Sequence, residues 1–252
     1  MNPARAPWHV ALRLAIQFLT RLPTPALKEF QPSWLSDSAR WFAVVGLLVG
    51  ALVAAATAIG QHIDPWLGAL LGLICWVWVT GGLHLDGLGD LADALGAAHR
   101  NQERFLAVLK DPHVGSFGVL TLVLALASKL VLLMLLVRFS ANLYPLILIP
   151  AWARLFAVAW SATLPALAPG SGERFAWQRH WPSLLIGCAG LLILCGYLAP
   201  WLLLAPLAGV GWWGFLKRRL GGMTGDCLGA GIEVCEIVLL GLGVISLHVL
   251  AG

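Results

Sequence analysis

A succession of long apolar runs with few charges, separated by short polar segments, constrains this chain more than any other feature. The runs cover roughly residues 39–60, 65–83, 116–137, 142–164, 181–198, 200–216 and 228–250. Each is close to the ~20 residues a helix needs to cross the hydrocarbon core of a bilayer. Charged residues make up 11% of the chain and hydrophobic ones 60%, whereas a soluble domain carries roughly 25% charged residues. The expectation is an all-α polytopic membrane bundle of about seven transmembrane helices. With 252 residues, little is left for a separate soluble domain, so residues 1–252 are read as one unit in contact with the lipid bilayer.

The first 38 residues read differently. Trp8 to Leu22 is apolar but interrupted by Arg13, Gln17 and Arg21, with no clean small-residue cleavage site. That pattern suits an amphipathic helix at the membrane face better than a removable signal. Cys75, Cys188, Cys195, Cys227 and Cys235 form no CxxC pair, and four lie in or beside apolar runs, so they read as small buried hydrophobes. The net charge of +4 does not indicate nucleic acid, because the basic residues follow the loops. With the N-terminus inside, the inner segments hold Arg5, Arg13, Arg21, Lys28, Arg40, Arg100, Arg104, Lys110, Arg174, Arg179, Lys217, Arg218 and Arg219. Arg138 alone falls outside, and Lys129 and Arg154 fall within spans. This bias predicts a cytoplasmic N-terminus.

Three polar motifs then share the cytoplasmic side. The first is Gly81-Gly82-Leu83-His84-Leu85-Asp86-Gly87-Leu88-Gly89-Asp90-Leu91-Ala92-Asp93. On a helix Asp86, Asp90 and Asp93 fall on one face, where like charges repel unless a cation lies between them. The second is Lys110-Asp111-Pro112-His113-Val114-Gly115-Ser116-Phe117-Gly118, and the third is Arg218-Arg219-Leu220-Gly221-Gly222-Met223-Thr224-Gly225-Asp226-Cys227, followed by Glu233 and Glu236. Carboxylates without a His or Cys cluster favour magnesium or manganese, and magnesium on few carboxylates commonly takes phosphate as a further ligand. Lys110, Arg218, Arg219 and the interior Arg154 would supply phosphate contacts. Glycines beside the aspartates would admit a phosphate close to the backbone. A metal with a basic cradle is the equipment of phosphoryl transfer. Each motif also has a plainer reading: a solvated helix flank, a helix stop followed by a turn, a stop-transfer anchor, or, for His84, an interfacial core histidine.

Taken together the motifs resemble cobalamin synthase, the adenosylcobinamide-GDP ribazoletransferase family. The resemblance rests on Gly81 to Gly87 with Asp90 and Asp93, on Lys110-Asp111 with Gly115 and Gly118, and on Gly221 to Ala230 with Glu236. Phe18-Leu19-Thr20-Arg21-Leu22-Pro23 adds to it, and the match runs from about residue 15 to 240. Gly89 departs from the usual Ala, and Glu233 stands where a neutral polar residue is expected. The resemblance implies a magnesium-dependent transfer of the cobinamide phosphate moiety of adenosylcobinamide-GDP to α-ribazole or its 5′-phosphate, with GMP as leaving group, at the bacterial inner membrane. It implies His84, Asp86, Asp90, Asp93, Asp111 and Asp226 as catalytic residues. Asp86, Asp90, Asp93, Asp226 and Glu236 would be metal ligands, and Lys110, Arg218, Arg219, Gly222 and Thr224 phosphate-binding residues. Residues 84–115 and 217–227 would be the active-site segments. The general base is open among His84, Asp90 and Asp93, and so is association with a second copy or with other cobalamin-assembly enzymes. The rival readings are a CDP-alcohol phosphotransferase, though no Arg follows Asp86-Gly87 in the pattern that family needs, and an ion or metabolite transporter built around Lys129, Arg154 and Glu236.

Overall fold

The computed structural model describes residues 5–27, 29–98, 101–140, 142–176 and 180–251. Of the basic residues behind the predicted orientation, Lys28, Arg100 and Arg179 lie outside the described residues. The helices are α1 (Trp8–Leu19), α2 (Trp34–Ala39), α3 (Phe42–Gln61), α4 (Pro65–Thr80), α5 (Leu83–Ala98), α6 (Gln102–Val108), α7 (Ser116–Phe139), α8 (Tyr144–Thr163), α9 (Ser171–Ala176), α10 (Trp181–Leu198), α11 (Ala205–Arg219) and α12 (Gly225–Ala251). Among the described residues the only β pairing is an isolated parallel bridge between Ala166 and Met223. The all-α expectation therefore holds.

Five helices, α3, α7, α8, α10 and α12, are long and apolar enough to cross a membrane, and the α4–α5 pair makes a sixth if it is one bent span. The sequence predicted seven, and the difference lies at 65–83 and 200–216. α4 has only 16 residues because Gly81 takes a left-handed conformation (φ 64°). Gly81 N–H then bonds to Trp78 O and Gly82 N–H to Val77 O, which is a Schellman stop. α5 leaves that corner at 85°. It is therefore an arm set sharply across the end of α4, and it carries the aspartates. At 200–216 the chain first makes a 3₁₀ turn over Pro200–Leu204, and α11 ends in Lys217, Arg218 and Arg219 after 15 residues.

The bundle packs through small residues, as helices in lipid do. A Cβ at Gly46 would lie 2.5 Å from Ala151 Cα, and one at Gly50 2.5 Å from Leu146 O, so α3 and α8 meet backbone to backbone. Trp76, Trp152 and Trp160 are buried in the core. α8 stays helical through Pro150, and Pro145 lies in its first turn. α1 is amphipathic as expected, but its buried face, Ala11, Leu14, Ala15 and Leu19, packs on the protein.

Hydrogen bonds define the two ends of the bundle. Asn142 Nδ2 donates to Leu198 O (3.2 Å), joining the α7–α8 turn to the end of α10. At the other end Arg21 N donates to Val79 O (2.7 Å) and Leu167 N to Met223 O (2.9 Å). The Asp93 carboxylate reaches the start of α7 there as well. All three polar motifs sit at this second end.

Candidate active site

The site is built where α5 crosses α12. Gly87 makes the crossing close, since a Cβ there would lie 3.0 Å from both Asp226 Cα and Asp226 O. One turn along, Gly229 faces His84 Cα at 3.4 Å from its own would-be Cβ. The two halves of the predicted site, about 140 residues apart in sequence, are thus set side by side by glycines. Each half follows a glycine pair whose first member is left-handed, Gly81 and Gly221 (φ 75°), and each puts an aspartate in the first turn of its helix. Asp86 and Asp226 line one cavity of about 100 Å³ with His84.

The electrostatics agree with the geometry. Partial burial, then the charges of Asp86, Asp226 and Asp93, push the Asp90 carboxyl up to about 6. Three neighbouring carboxylates therefore act on Asp90. Among the described residues no three His, Cys, Asp or Glu side chains close on a point as a complete metal cage. This arrangement suits magnesium, which binds through one or two carboxylates and completes its shell with substrate phosphate and water. The hard oxygen donors of Asp86, Asp90 and Asp226 fit that ion.

Asp93 is differently engaged. Its Oδ2 accepts from Gly115 N (2.7 Å) and its Oδ1 from Gly118 N (2.9 Å). A Cβ at either glycine would strike that carboxylate, at 2.5 Å from Oδ1 for Gly115 and 2.3 Å from Oδ2 for Gly118. The second motif thus contributes its glycines, which cradle Asp93 on the N-terminus of α7. Asp93 fixes α5 to α7, with each of its carboxylate oxygens accepting one backbone N–H. Lys110 and Asp111 are exposed, and neither lines the cavities that hold Asp86. Asp111 Oδ1 instead bonds His113 Nδ1 at 2.7 Å, and those hydrogen bonds to His113 lower the Asp111 carboxyl. The structure supports neither a catalytic role for Asp111 nor a phosphate role for Lys110.

The third motif divides in the same way. Thr224 Oγ1 accepts from Cys227 N (3.3 Å) and lies 3.4 Å from Asp226 Oδ2, so it caps α12 and orients the aspartate. Gly222 is packed against Pro165 O, 2.5 Å from its would-be Cβ. Both were expected to bind phosphate; in the fold Thr224 caps α12 and Gly222 packs on Pro165. Arg218 and Arg219 line a separate cavity of about 430 Å³ with Asn101, Gln102 and Leu95, near the far end of α5.

The family model for cobalamin-5-phosphate synthase matches residues 11–244. The adenosylcobinamide-GDP ribazoletransferase of Laribacter hongkongensis is 63% identical, over 94% of this chain and 97% of its own. The protein of the same name from Thiobacillus denitrificans is 52% identical, over 96% of this chain and 97% of its own, and that from Novosphingobium aromaticivorans is 51% identical, over 90% and 93%. No solved structure matches. This chain belongs to the cobalamin-5-phosphate synthase family.

In this member of the cobalamin-5-phosphate synthase family Glu236 is not at the aspartate site. It lies ten residues beyond Asp226 on the same helix, roughly 15 Å along the axis. Its Oε2 meets Lys129 Nζ at 2.5 Å and its Oε1 meets Arg154 Nη1 at 2.7 Å, with all three side chains buried. Glu233 Oε2 pairs with the same Lys129 at 2.6 Å, and Lys129 Nζ lies 4.4 Å from the Trp76 ring centroid. With both carboxylate oxygens held by cations, Glu236 is a structural ion-pair residue and not a metal ligand. Glu233, whose role the sequence left open, balances the second positive charge. His84 is buried, and its Nε2 has no hydrogen-bond partner among the described residues. One residue was overlooked as a site candidate: Arg21 lines an open cavity of about 550 Å³ together with Asp86.

Proposed function

We propose that this chain transfers the cobinamide phosphate moiety of adenosylcobinamide-GDP to α-ribazole or its 5′-phosphate, releasing GMP, at the cytoplasmic face of the bacterial inner membrane. The observation that carries the reading is the meeting of Asp86 and Asp226 across the α5–α12 crossing, in one cavity with His84. The names of the relatives, at up to 63% identity over nearly the whole chain, supply the reaction.

The ribazole 3′-hydroxyl attacks the phosphorus that bears the corrinoid's aminopropanol arm, and the bond from that phosphorus to the GMP oxygen breaks. The hydroxyl proton passes to His84 Nε2, which is unpartnered among the described residues, on the cavity shared with Asp86 and Asp226. Asp86, Asp90 and Asp226 would hold magnesium, which supplies charge neutralisation on the diphosphate and the departing phosphate. Asp93 keeps α5 in register with α7. Arg218 and Arg219, beside their own cavity, hold the nucleotide end. Phe18, Phe42 and Phe175 line the Asp86 cavity with ring centroids 4.9–6.1 Å apart, and offer an apolar wall to the ribazole's aromatic base.

GMP release by the purified, reconstituted protein tests the reading. Asp86→Asn and Asp226→Asn should each lower kcat by about 100-fold or more, the scale of losing one electrostatic stabiliser of a transition state. Near-normal release by either variant would remove that aspartate from the site.

A further inference from the structure

We propose that Arg21 is the guanidinium that grips the substrate diphosphate opposite Asp86, and that Gly81 is a glycine in order to seat it. This rests on the transferase reading above. The backbone around Arg21 is pinned on both sides. Arg21 N donates to Val79 O (2.7 Å), tying the end of α1 to the α4–α5 corner. Thr20 Oγ1 accepts from Leu22 N (3.2 Å), and Gln17 Nε2 donates to Thr24 Oγ1 (2.8 Å).

From that anchor the side chain runs over Gly81. A Cβ at Gly81 would lie 2.3 Å from Arg21 Nε, 2.8 Å from Cδ and 2.9 Å from Cγ. The left-handed glycine that ends α4 thus leaves the space the arginine occupies. Beyond Gly81, Arg21 and Asp86 line the same open cavity of about 550 Å³. They form no ion pair, and among the described residues Arg21 has none with any carboxylate, in contrast with Arg154 and its bond to Glu236. A cation and a carboxylate held apart across one cavity can accept a ligand presenting phosphate oxygens to the guanidinium and a bound cation to the carboxylate. The planar fork of arginine matches paired phosphate oxygens. Phosphate could also come from a lipid headgroup, so the test separates the two sources.

The test is calorimetric titration of the full-length protein with magnesium pyrophosphate in a detergent free of phospholipid. Arg21→Ala should weaken binding by about tenfold or more, as expected for a charge-assisted contact, with Arg21→Lys between it and wild type. Gly81→Ala should weaken it comparably with Arg21 still present. The control is Gly81→Ala in the Arg21→Ala background, which keeps the left-handed strain (φ 64°) but has no arginine to displace. It should lower Tm but leave the affinity of Arg21→Ala alone. Wild-type affinity in Arg21→Ala, with binding lost in Asp86→Asn, would overturn the role of Arg21 and leave the transferase reading standing. A further loss of affinity when Gly81→Ala is added to Arg21→Ala would overturn the seating. If Arg21→Ala keeps its affinity for magnesium pyrophosphate and loses only binding of phosphatidylglycerol added to the detergent, Arg21 is a lipid anchor and the proposal fails. A wild-type protein that neither binds magnesium pyrophosphate nor releases GMP overturns both.

Discussion

Asp86 and Asp226 face a shared cavity, Asp93 is held by two backbone amides of α7, and Asp111 is held by its own neighbour His113. Equal residue types therefore predict unequal phenotypes. Asp111→Asn should leave GMP release within about twofold of wild type, as for a surface change away from the chemistry. Asp93→Ala should lower stability by about 1–2 kcal/mol, the usual loss for a helix cap, and this is readable as a shift in thermal melting. Asp90 gives the pH dependence. Its carboxyl sits at about 6 in the fold against ~3.9 in an unfolded chain. The folded state therefore binds the proton more tightly, and its contribution to stability is lost as pH rises from ~4 through ~6. A divalent cation competes with that proton. Magnesium should raise Tm little at about pH 5 and clearly more at about pH 7.5, and Asp90→Asn should flatten the difference.

At the scale of elements, the α5–α12 crossing and the buried charges of the bundle carry the account. Gly87→Ala would set a methyl group 3.0 Å from the Asp226 backbone and shift the crossing, so kcat should fall with little change in expression. Gly89→Ala meets only the side chain of half-buried Leu122, at 3.3 Å, which can yield. It should preserve activity and gain up to about 1 kcal/mol of helix stability. Lys129, Arg154, Glu233 and Glu236 form a balanced set of two cations and two anions, nearly or fully buried. Lys129→Met should cost about 3–5 kcal/mol, because it strands a buried carboxylate. Adding Glu233→Gln should recover part of that loss by restoring the balance. Charges closed on one another in this way form a lock between α7, α8 and α12 and do not thread the bilayer, so they give no support to the transporter reading.

Across the whole molecule, the sequence revealed the class of fold and the shared end of the three motifs because apolar length and basic loops are one-dimensional signals. The bent arm was only half legible. Gly81-Gly82 marks a stop, but the 85° turn of α5 depends on what α5 packs against. The duties of Asp93, Thr224 and Glu236 were hidden for the same reason, since each is set by a partner distant in sequence or by a cap that composition does not reveal. Arg21 was visible only as a positive charge, because its placement over Gly81 is a tertiary contact. The cytoplasmic placement of the site is open to test by cysteine labelling of intact cells with a membrane-impermeant reagent. Ile63→Cys, at the opposite end of the bundle, should label from outside, and Glu103→Cys should label only after lysis.

The central claim is that α5 and α12 each supply a carboxylate to one metal–diphosphate site. A structure determined with magnesium and a non-hydrolysable diphosphate analogue tests it most directly. The account predicts a metal bound to Asp86 and Asp226 and bridged to the diphosphate. A metal that touches neither would contradict it.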